Sequence, residues 1–206
     1  MELTKKLTKD ERQLRSVLCK IATVGIARPG YAYRNPSDFV IIHGEFHRPL
    51  PVSVSKMGTP KHCFANAIIN CVRYGWRYVE GYAAPEFCGL PFHHAWNLDR
   101  DGRAYDCTWP EVGRAYIGVE FSLGRADDAS WNGDASVLDD WHRQWPLLKE
   151  RWTGEDWKKV WTPSKALVLM RRSLEGENID AEMEELRRSL KPCLNGDKHE
   201  QTQGGA

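Results

Sequence analysis

A cysteine, two neighbouring histidines and an aspartate follow one another in the order needed for thiol chemistry. Cys63 is followed by His93 and His94, and then by Asp106. A thiol is a nucleophile only as the thiolate, and an ordinary thiol with a pKa of ~8.5 is mostly protonated at neutral pH. A histidine beside the cysteine would take its proton, and a carboxylate on the other ring nitrogen would orient that histidine. These residue types predict nucleophilic catalysis by Cys63, with one of the two histidines as its base.

Cys63 falls in the first turn of a predicted helix. Thr59 is a good N-cap, Pro60 suits the first helical position, and Gly75 is a typical C-terminal stop. The residues between them are apolar on most sides of the helix, so we expect this helix to be central in the fold. Unpaired N–H groups and the helix dipole favour a negative charge at this end. The start of the helix would therefore stabilise a Cys63 thiolate.

The segment HHAWNLDRDGRAYDCTW predicts a hairpin whose loop length decides which histidine lies beside Asp106. Side chains alternate between the two faces of a sheet, so the parity of the loop sets the face of every later residue. A loop of residues 101–102 alone puts Asp106 on the face of His93. A loop of residues 100–102, with its glycine in the left-handed conformation, puts Asp106 on the face of His94. The alternation by itself leaves both loops open.

Three ordered pieces of the chain resemble the transglutaminase-like superfamily of papain-type cysteine enzymes. They are CFANAIINCVRYGWRYVEGYA, then HAW, then DCTW, all within residues 59–109. In that family a cysteine opens a core helix, a strand follows, HAW carries the catalytic histidine and a D-x-T-W-like segment carries the aspartate. The resemblance implies Cys63 as the nucleophile, His94 as general base and acid, and Asp106 as the partner that orients His94. It therefore also predicts the three-residue loop.

Some residues near the predicted triad depart from the family pattern. His62 precedes the cysteine where a smaller residue is common, Phe64 follows it where Trp is common, and Cys107 stands where Pro is usual. These departures predict a distant branch, so no substrate is inherited from any one member. Trp96, two residues after His94, is predicted as a wall of the substrate cleft. The backbone N–H of Cys63 is the one oxyanion donor that the sequence identifies.

Hydrophobic periodicity predicts the remaining elements. Short apolar or alternating runs predict strands over residues 38–46, 76–83 and 114–121. Apolar residues at three- and four-residue steps predict helices over residues 10–27, 138–152, 164–174 and 180–191.

Together these elements predict an α+β fold with a papain-like, transglutaminase-like core. Its central helix would pack on an antiparallel sheet, and further helices would follow at the C-terminal end. The composition changes near Ala126, where a tryptophan-rich stretch begins. We predict a catalytic core with an N-terminal helix over residues 1–125, a Trp-rich helical region packed on it over 126–192, and a disordered tail over 193–206.

The bulk properties are those of an ordinary soluble globular protein. The 206 residues are 41% hydrophobic and 28% charged, and a net charge of +1 gives no electrostatic reason to bind nucleic acid or an anionic membrane. The charged N-terminus and the lack of a long apolar run predict neither a signal peptide nor a membrane span. Without an export signal, we expect the six cysteines to be reduced thiols, and the lack of a CxxC motif gives little support for a structural zinc site. His43 and His47 could join Cys63 and His93 around a metal, but their spacing matches no familiar site.

We therefore expect a cytoplasmic cysteine enzyme that needs no metal or cofactor. Its predicted reaction is cleavage of an amide bond in a protein, a peptide or a small amide, through an acyl-enzyme intermediate. Transfer of the acyl group to an amine on the same triad is the first alternative. A non-catalytic binding protein that retains the fold is the second. The sequence predicts no oligomeric state.

Overall fold

The chain folds into two compact units, which divide between Thr162 and Pro163. A computed structural model describes residues 6–25, 27–132, 136–155 and 161–190. The predicted disordered tail, residues 193–206, lies outside the described residues. The compact units divide at a different place from the change in composition near residue 126.

The first unit combines helices with one antiparallel sheet. Its elements in chain order are α1 (Lys9–Val24), α2 (Pro36–His43), β1 (Glu45–His47), a 3-10 turn (Val54–Lys56), α3 (Cys63–Tyr74), β2 (Arg77–Ala84), β3 (Phe92–Leu98), β4 (Ala104–Tyr105), β5 (Ala115–Phe121), α4 (Leu123–Asn132) and α5 (Pro146–Lys149). The strand order in the sheet is β1-β5-β2-β3-β4. The sheet curls strongly, because the N–H of Leu50, which follows edge strand β1, bonds to the carbonyl of Ala104 in β4 at 2.8 Å. The predicted α+β class is confirmed.

The two faces of the central strands bury different clusters of apolar side chains. On the face that carries α3, the cluster includes Ala67, Ile68, Tyr78 and Ala95. On the other face, the cluster comprises Val79, Ala83, Trp96, Leu98, Ala104 and Tyr116. Gly118 is required beneath the second cluster, since a β-carbon there would lie 2.5 Å from the Trp96 ring. The second face is therefore a tightly packed layer of aromatic rings.

The helix that carries Cys63 begins later than the sequence predicts. The predicted cap at Thr59 is wrong. Lys61 has a left-handed φ of 68°, so residues 59–62 form a tight turn that is not part of the helix. The first helical residue is Cys63 itself. The predicted stop is confirmed: Gly75 has a φ of 65° and its N–H bonds to the carbonyl of Cys71.

Residues 38–46 were predicted as one strand, and this prediction is wrong for most of the segment. Asn35 caps a helix by accepting the N–H of Asp38 at 2.9 Å, and Pro36 is the first helical residue. The apolar run that follows lies in α2, where Phe39 and Val40 are buried and Ile42 is exposed, and only Glu45–His47 forms a strand. A short apolar run does not distinguish strand from helix, whereas an Asn-Pro start signal does.

The predicted aromatic helix over residues 138–152 is also wrong, since only Pro146–Lys149 is helical. Pro146 lacks an N–H and disfavours helical backbone in the residue before it. Accordingly, Gln144 and Trp145 have positive φ angles of 58° and 49°. Leu138 and Leu148 are nevertheless buried, whereas Trp141 is 55% exposed. The apolar residues at three- and four-residue steps therefore lie in a segment that is mostly irregular and not in one continuous helix.

The remaining predicted elements of the first unit are confirmed to within a few residues. Helix α1, strands β2 and β5, and the hairpin all form where the patterns place them. In the hairpin, the N–H of Asp99 bonds to the carbonyl of Arg103 at 3.0 Å, which leaves residues 100–102 as the loop. Gly102 has a left-handed φ of 79°. The predicted three-residue loop is therefore confirmed.

The second unit contains the two predicted C-terminal helices, α6 (Lys165–Leu174) and α7 (Asp180–Leu190). Their small core comprises Ala166, Leu169, Ile179 and Leu186, with Met183 packed against it. Arg172 reinforces the pair by bonding to Glu177 at 2.7 Å and to Glu182 at 3.1 Å. Nowhere in the described residues is a helix both long enough and apolar enough to cross a membrane.

Candidate active site

Cys63 occupies the first position of α3, at the edge of the buried core. Cys63 is 8% exposed. The first N–H groups of a helix have no acceptor within the helix, so the backbone here offers donors to a negative charge or a carbonyl oxygen. Position and backbone together suit a thiolate nucleophile with an oxyanion donor beside it.

Asn66, one turn after Cys63, fixes the start of α3. Its side-chain oxygen accepts the N–H of Thr59 at 3.0 Å, and its side-chain nitrogen donates to the carbonyl of Thr59 at 2.8 Å. The same nitrogen donates to the hydroxyl of Thr108 at 2.9 Å. Gly58 is needed beside it, because a β-carbon there would lie 2.3 Å from the amide. Asn66 thus ties the helix that carries Cys63 to the segment that carries Asp106.

His94 and Asp106 form a buried pair on the same face of the sheet. Nε2 of His94 lies 2.8 Å from Oδ2 of Asp106. Both residues are nearly inaccessible to solvent. A carboxylate accepts hydrogen bonds and donates none, so Nε2 carries the proton and Nδ1 is the nitrogen left for a second partner. The loop parity explains the contact, since the three-residue loop places Asp106 on the face of His94.

Asp106 is held as a carboxylate by four donors. Oδ2 accepts His94 Nε2 and the Tyr116 hydroxyl, each at 2.8 Å. Oδ1 accepts the backbone N–H of Thr108 at 2.9 Å and that of Trp109 at 3.3 Å. Burial raises the pKa of Asp106. The hydrogen bond and charge of His94, together with the other donors, lower the pKa by more than burial raises it, so it lies below its ordinary value. The carboxylate is therefore ionised and fixed in orientation.

The imidazole of His94 interacts with Asp106 on one side and with Cys63 on the other. Burial lowers the pKa of His94, whereas hydrogen bonds to Asp106 and Cys63 and the charges of both raise it, to about 9 in total. The two partners therefore favour the protonated ring. His94 thus interacts with both Asp106 and Cys63.

Aromatic rings pack around His94. Trp109 stacks on it, with ring centroids 4.2 Å apart and an angle of 21° between the planes. Trp96, the predicted cleft wall, is 1% exposed and packs edge-on against Tyr116. Trp96 is part of the second apolar cluster, so its predicted role in substrate binding does not fit this placement. Of the two tryptophans, Trp109 is the more accessible neighbour of the candidate base.

His93 lies on the opposite face of the sheet and makes a separate pair. Its Nε2 lies 2.8 Å from Oε1 of Glu80, which is fully buried. Glu80 also accepts the hydroxyl of Tyr78 at 2.7 Å and the backbone N–H groups of Val137 and Leu138 at 2.9 and 2.7 Å. His93 therefore belongs to an anchor for the segment after residue 136, and the choice of His94 as the candidate base agrees with this geometry.

Within the described residues, no group of three or more His, Cys, Asp or Glu side chains is arranged to hold a metal ion. His43 instead lies 2.7 Å from the hydroxyl of Tyr33, and the ring of His47 packs against Trp96. A groove of about 680 Å³ lies elsewhere on the curled sheet and includes Arg48, Arg77, Arg103, Glu45 and Glu120 in its lining. None of the three candidate catalytic residues lines this groove.

Sequence reasoning did not identify the residues that support the candidate triad. Asn66 carried a signal, because an amide three residues after Cys63 falls on the same side of an otherwise apolar helix. Tyr116 carried none, since its hydroxyl reaches Asp106, directly after β4, from β5, which is three places away in the sheet. Such a contact depends on strand order, which the local pattern of residues does not encode.

No family model, no curated protein and no solved structure matches the chain.

Proposed function

We propose that this protein is a cysteine-dependent acyl-transfer enzyme that cleaves an amide bond through a Cys63–His94–Asp106 triad. The observation that carries the proposal is the position of the His94 ring, which bonds to Asp106 through Nε2 at 2.8 Å and interacts with the Cys63 thiol. A buried imidazole between a thiol and an ionised carboxylate is the arrangement that thiol catalysis requires. Structural histidines seldom need both partners.

The proposed reaction begins from a thiolate–imidazolium pair, in which Nδ1 of His94 already holds the proton of Cys63. The sulfur attacks the carbonyl carbon of the amide, and the carbonyl oxygen becomes an oxyanion beside the N–H groups at the start of α3. The C–N bond then breaks, and His94 returns its proton to the leaving amine. The product of this half-reaction is a thioester of Cys63.

In the second half-reaction, water replaces the amine. His94 takes a proton from the water as the oxygen attacks the thioester carbonyl, and it returns that proton to the sulfur as the C–S bond breaks. Asp106 stays ionised throughout and keeps Nε2 protonated, so that Nδ1 is the nitrogen that exchanges protons. We favour water as the acceptor because no feature of the site marks a pocket for an amine.

We also propose that the fold is the papain-like core of the transglutaminase-like enzymes. The support is a helix that begins at the candidate nucleophile, packed on an antiparallel sheet whose neighbouring strands carry the candidate base and its carboxylate. The five cysteines in the described residues are free thiols, which fits a reducing compartment such as the cytoplasm.

Alkylation with iodoacetamide near pH 7, followed by mass spectrometry, tests the proposed nucleophile. We expect Cys63 to be labelled at least about tenfold faster than the other thiols, because a thiolate and not a thiol reacts. Cys19 and Cys88 are the internal controls, since both are more exposed than Cys63. Cys71, in the same helix, is a negative control, because burial raises its pKa to about 12.

His94→Ala should remove the preference for Cys63 while leaving the labelling of Cys88 unchanged. Labelling that follows exposure alone, with Cys88 faster than Cys63, would overturn the proposal. Mass spectrometry of the protein after a short reaction with an activated ester should then detect an acyl group on Cys63. Its loss to water or to an added amine separates hydrolysis from transfer.

A further inference from the structure

We propose that Tyr116 is a positioning residue of the triad, whose hydroxyl holds Asp106 in register with His94 and limits how strongly the carboxylate attracts the imidazole proton. This inference rests on the proposed function for its catalytic consequence. Its structural part, the control of His94 through Asp106, is testable without any substrate.

The geometry makes Tyr116 a direct competitor of His94 for one oxygen atom. The Tyr116 hydroxyl and His94 Nε2 both lie 2.8 Å from Oδ2 of Asp106. The hydroxyl oxygen also accepts the N–H of Gly113 at 2.8 Å. Because that bond uses an oxygen lone pair, the hydroxyl proton is free to point to Asp106. Tyr116 is fully buried, so water does not replace either contact.

The hydroxyl reaches the triad because a small residue lies in its path. Tyr116 is on β5 and pairs with Ala83 of β2, and β2 separates β5 from β3 in the sheet. Ala83 is itself completely buried. A methyl group at this position lets the phenol lie across β2, whereas a larger side chain would occupy that space. The contact is therefore built into the packing of three strands.

Tyr116 is a donor at every accessible pH. Burial and the neighbouring charge of Asp106 raise the pKa of Tyr116 far above its ordinary value, so the phenol keeps its proton. A donor to a carboxylate favours the ionised form and withdraws electron density from the oxygen that it contacts. The titratable groups that act on His94 are Asp106 and Cys63. Tyr116 acts on His94 through the first of these.

Tyr116→Phe removes the donor and retains the ring. We expect the pKa of His94, about 9 in the native protein, to rise by roughly half a unit or more, because the carboxylate becomes more basic. NMR titration of the imidazole nitrogens measures this shift, with the His94 signals assigned by their absence in His94→Gln. Acylation of Cys63 by an activated ester should slow about three- to tenfold, the effect of losing one hydrogen bond that positions a reacting group.

Tyr78→Phe is the matched control. Tyr78 is also buried and donates to a buried carboxylate, Glu80, at 2.7 Å, but on the opposite face of the sheet. It should destabilise the protein about as much as Tyr116→Phe and leave the titration of His94 unchanged. Equal shifts in the two variants, or no shift in Tyr116→Phe, would overturn the inference.

A second substitution covers the case in which Tyr116→Phe does not fold. Incorporation of 3-fluorotyrosine at position 116 keeps the volume and the hydroxyl but strengthens the donor, so the pKa of His94 should fall instead of rise. An unchanged pKa would again contradict the inference. If Cys63 shows no selective alkylation but His94 responds to both substitutions, the proposed function fails and the control of His94 by Tyr116 stands.

Discussion

At the scale of single residues, Asp106 organises the candidate site more than the nucleophile does. Its two oxygens accept two side chains and two backbone N–H groups, so each lone-pair direction is used. Burial of a carboxylate is costly unless hydrogen bonds compensate it, and here they do so fully. The charge that remains is directed at Nε2 of His94 and keeps the ring protonated on that side.

Asp106→Asn should therefore lower the pKa of His94 from its native value of about 9, because burial continues to lower it and the Asp106 carboxylate no longer raises it. The amide also lets the ring adopt the wrong tautomer. We expect alkylation of Cys63 at pH 7 to slow at least about tenfold and amide cleavage to fall roughly a hundredfold or more. Kinetics of alkylation and NMR titration measure the two effects.

Asp99→Asn is the control for this change. Asp99 lies in the same hairpin and accepts the backbone N–H groups of Asp101 and Arg103, each at 2.9 Å, without contacting His94. Its substitution should leave alkylation of Cys63 within a factor of two of the native rate, roughly the scatter expected for a remote site. Unaltered kinetics in Asp106→Asn would show that the carboxylate does not act on the thiol.

At the scale of elements, the local sequence predicts those whose start, stop and period agree. Strands β2 and β5 and helices α6 and α7 are of this kind, whereas the three-residue hairpin loop was predicted from the family resemblance. The segment after residue 136 is not of this kind, because its conformation is set by a distant residue. Glu80 on β2 accepts the N–H groups of Val137 and Leu138. In a helix, these N–H groups would instead bond to backbone carbonyls or to a capping side chain. The residue types alone pointed to Cys63, a histidine and Asp106, and the choice of His94 over His93 depended on the family resemblance.

Glu80→Gln should loosen the segment after residue 136. The new amide nitrogen would face backbone N–H groups that need an acceptor, and the pair with His93 would lose its charge. We expect unfolding to become easier by about 2–4 kcal/mol, the usual cost of breaking a buried charged network. Hydrogen exchange of the Val137 and Leu138 amides should quicken more than that of β5.

The matched control is Glu120→Gln, on the same sheet. Glu120 pairs with Arg77 at 2.6 Å, but both side chains are nearly half exposed, so the substitution should cost less than about 1 kcal/mol. Similar losses of stability in the two variants would indicate that Glu80 is an ordinary ion-pair partner and does not anchor the segment.

At the scale of the whole molecule, the raised pKa of His94 links stability to pH. The folded protein retains the proton up to about pH 9, whereas an unfolded histidine loses it near pH 6.5. The contribution of this proton to stability is therefore complete below about pH 6.5, declines from there to about pH 9, and is absent above. Its full size is up to about 3 kcal/mol.

Urea unfolding at a series of pH values from 6 to 10 measures this contribution. The native protein should lose stability relative to His94→Gln as the pH rises through this range, so the two curves of unfolding free energy converge. Parallel curves would mean that the folded protein does not hold the proton on His94. Cys63→Ser in the same series separates the influence of the thiol from that of Asp106.

The three-residue turn at 100–102 has a consequence for how this protein can change. Surface turns usually accept an added or deleted residue at little cost. Here, one extra residue would shift the returning strand by half its repeat and point Tyr105 or Cys107, in place of Asp106, toward His94. Only changes by an even number of residues keep the carboxylate in phase. In a library of turn lengths, variants that differ from the native turn by an even number of residues should therefore be active, and variants that differ by an odd number should be inactive, whatever amino acids the turn contains.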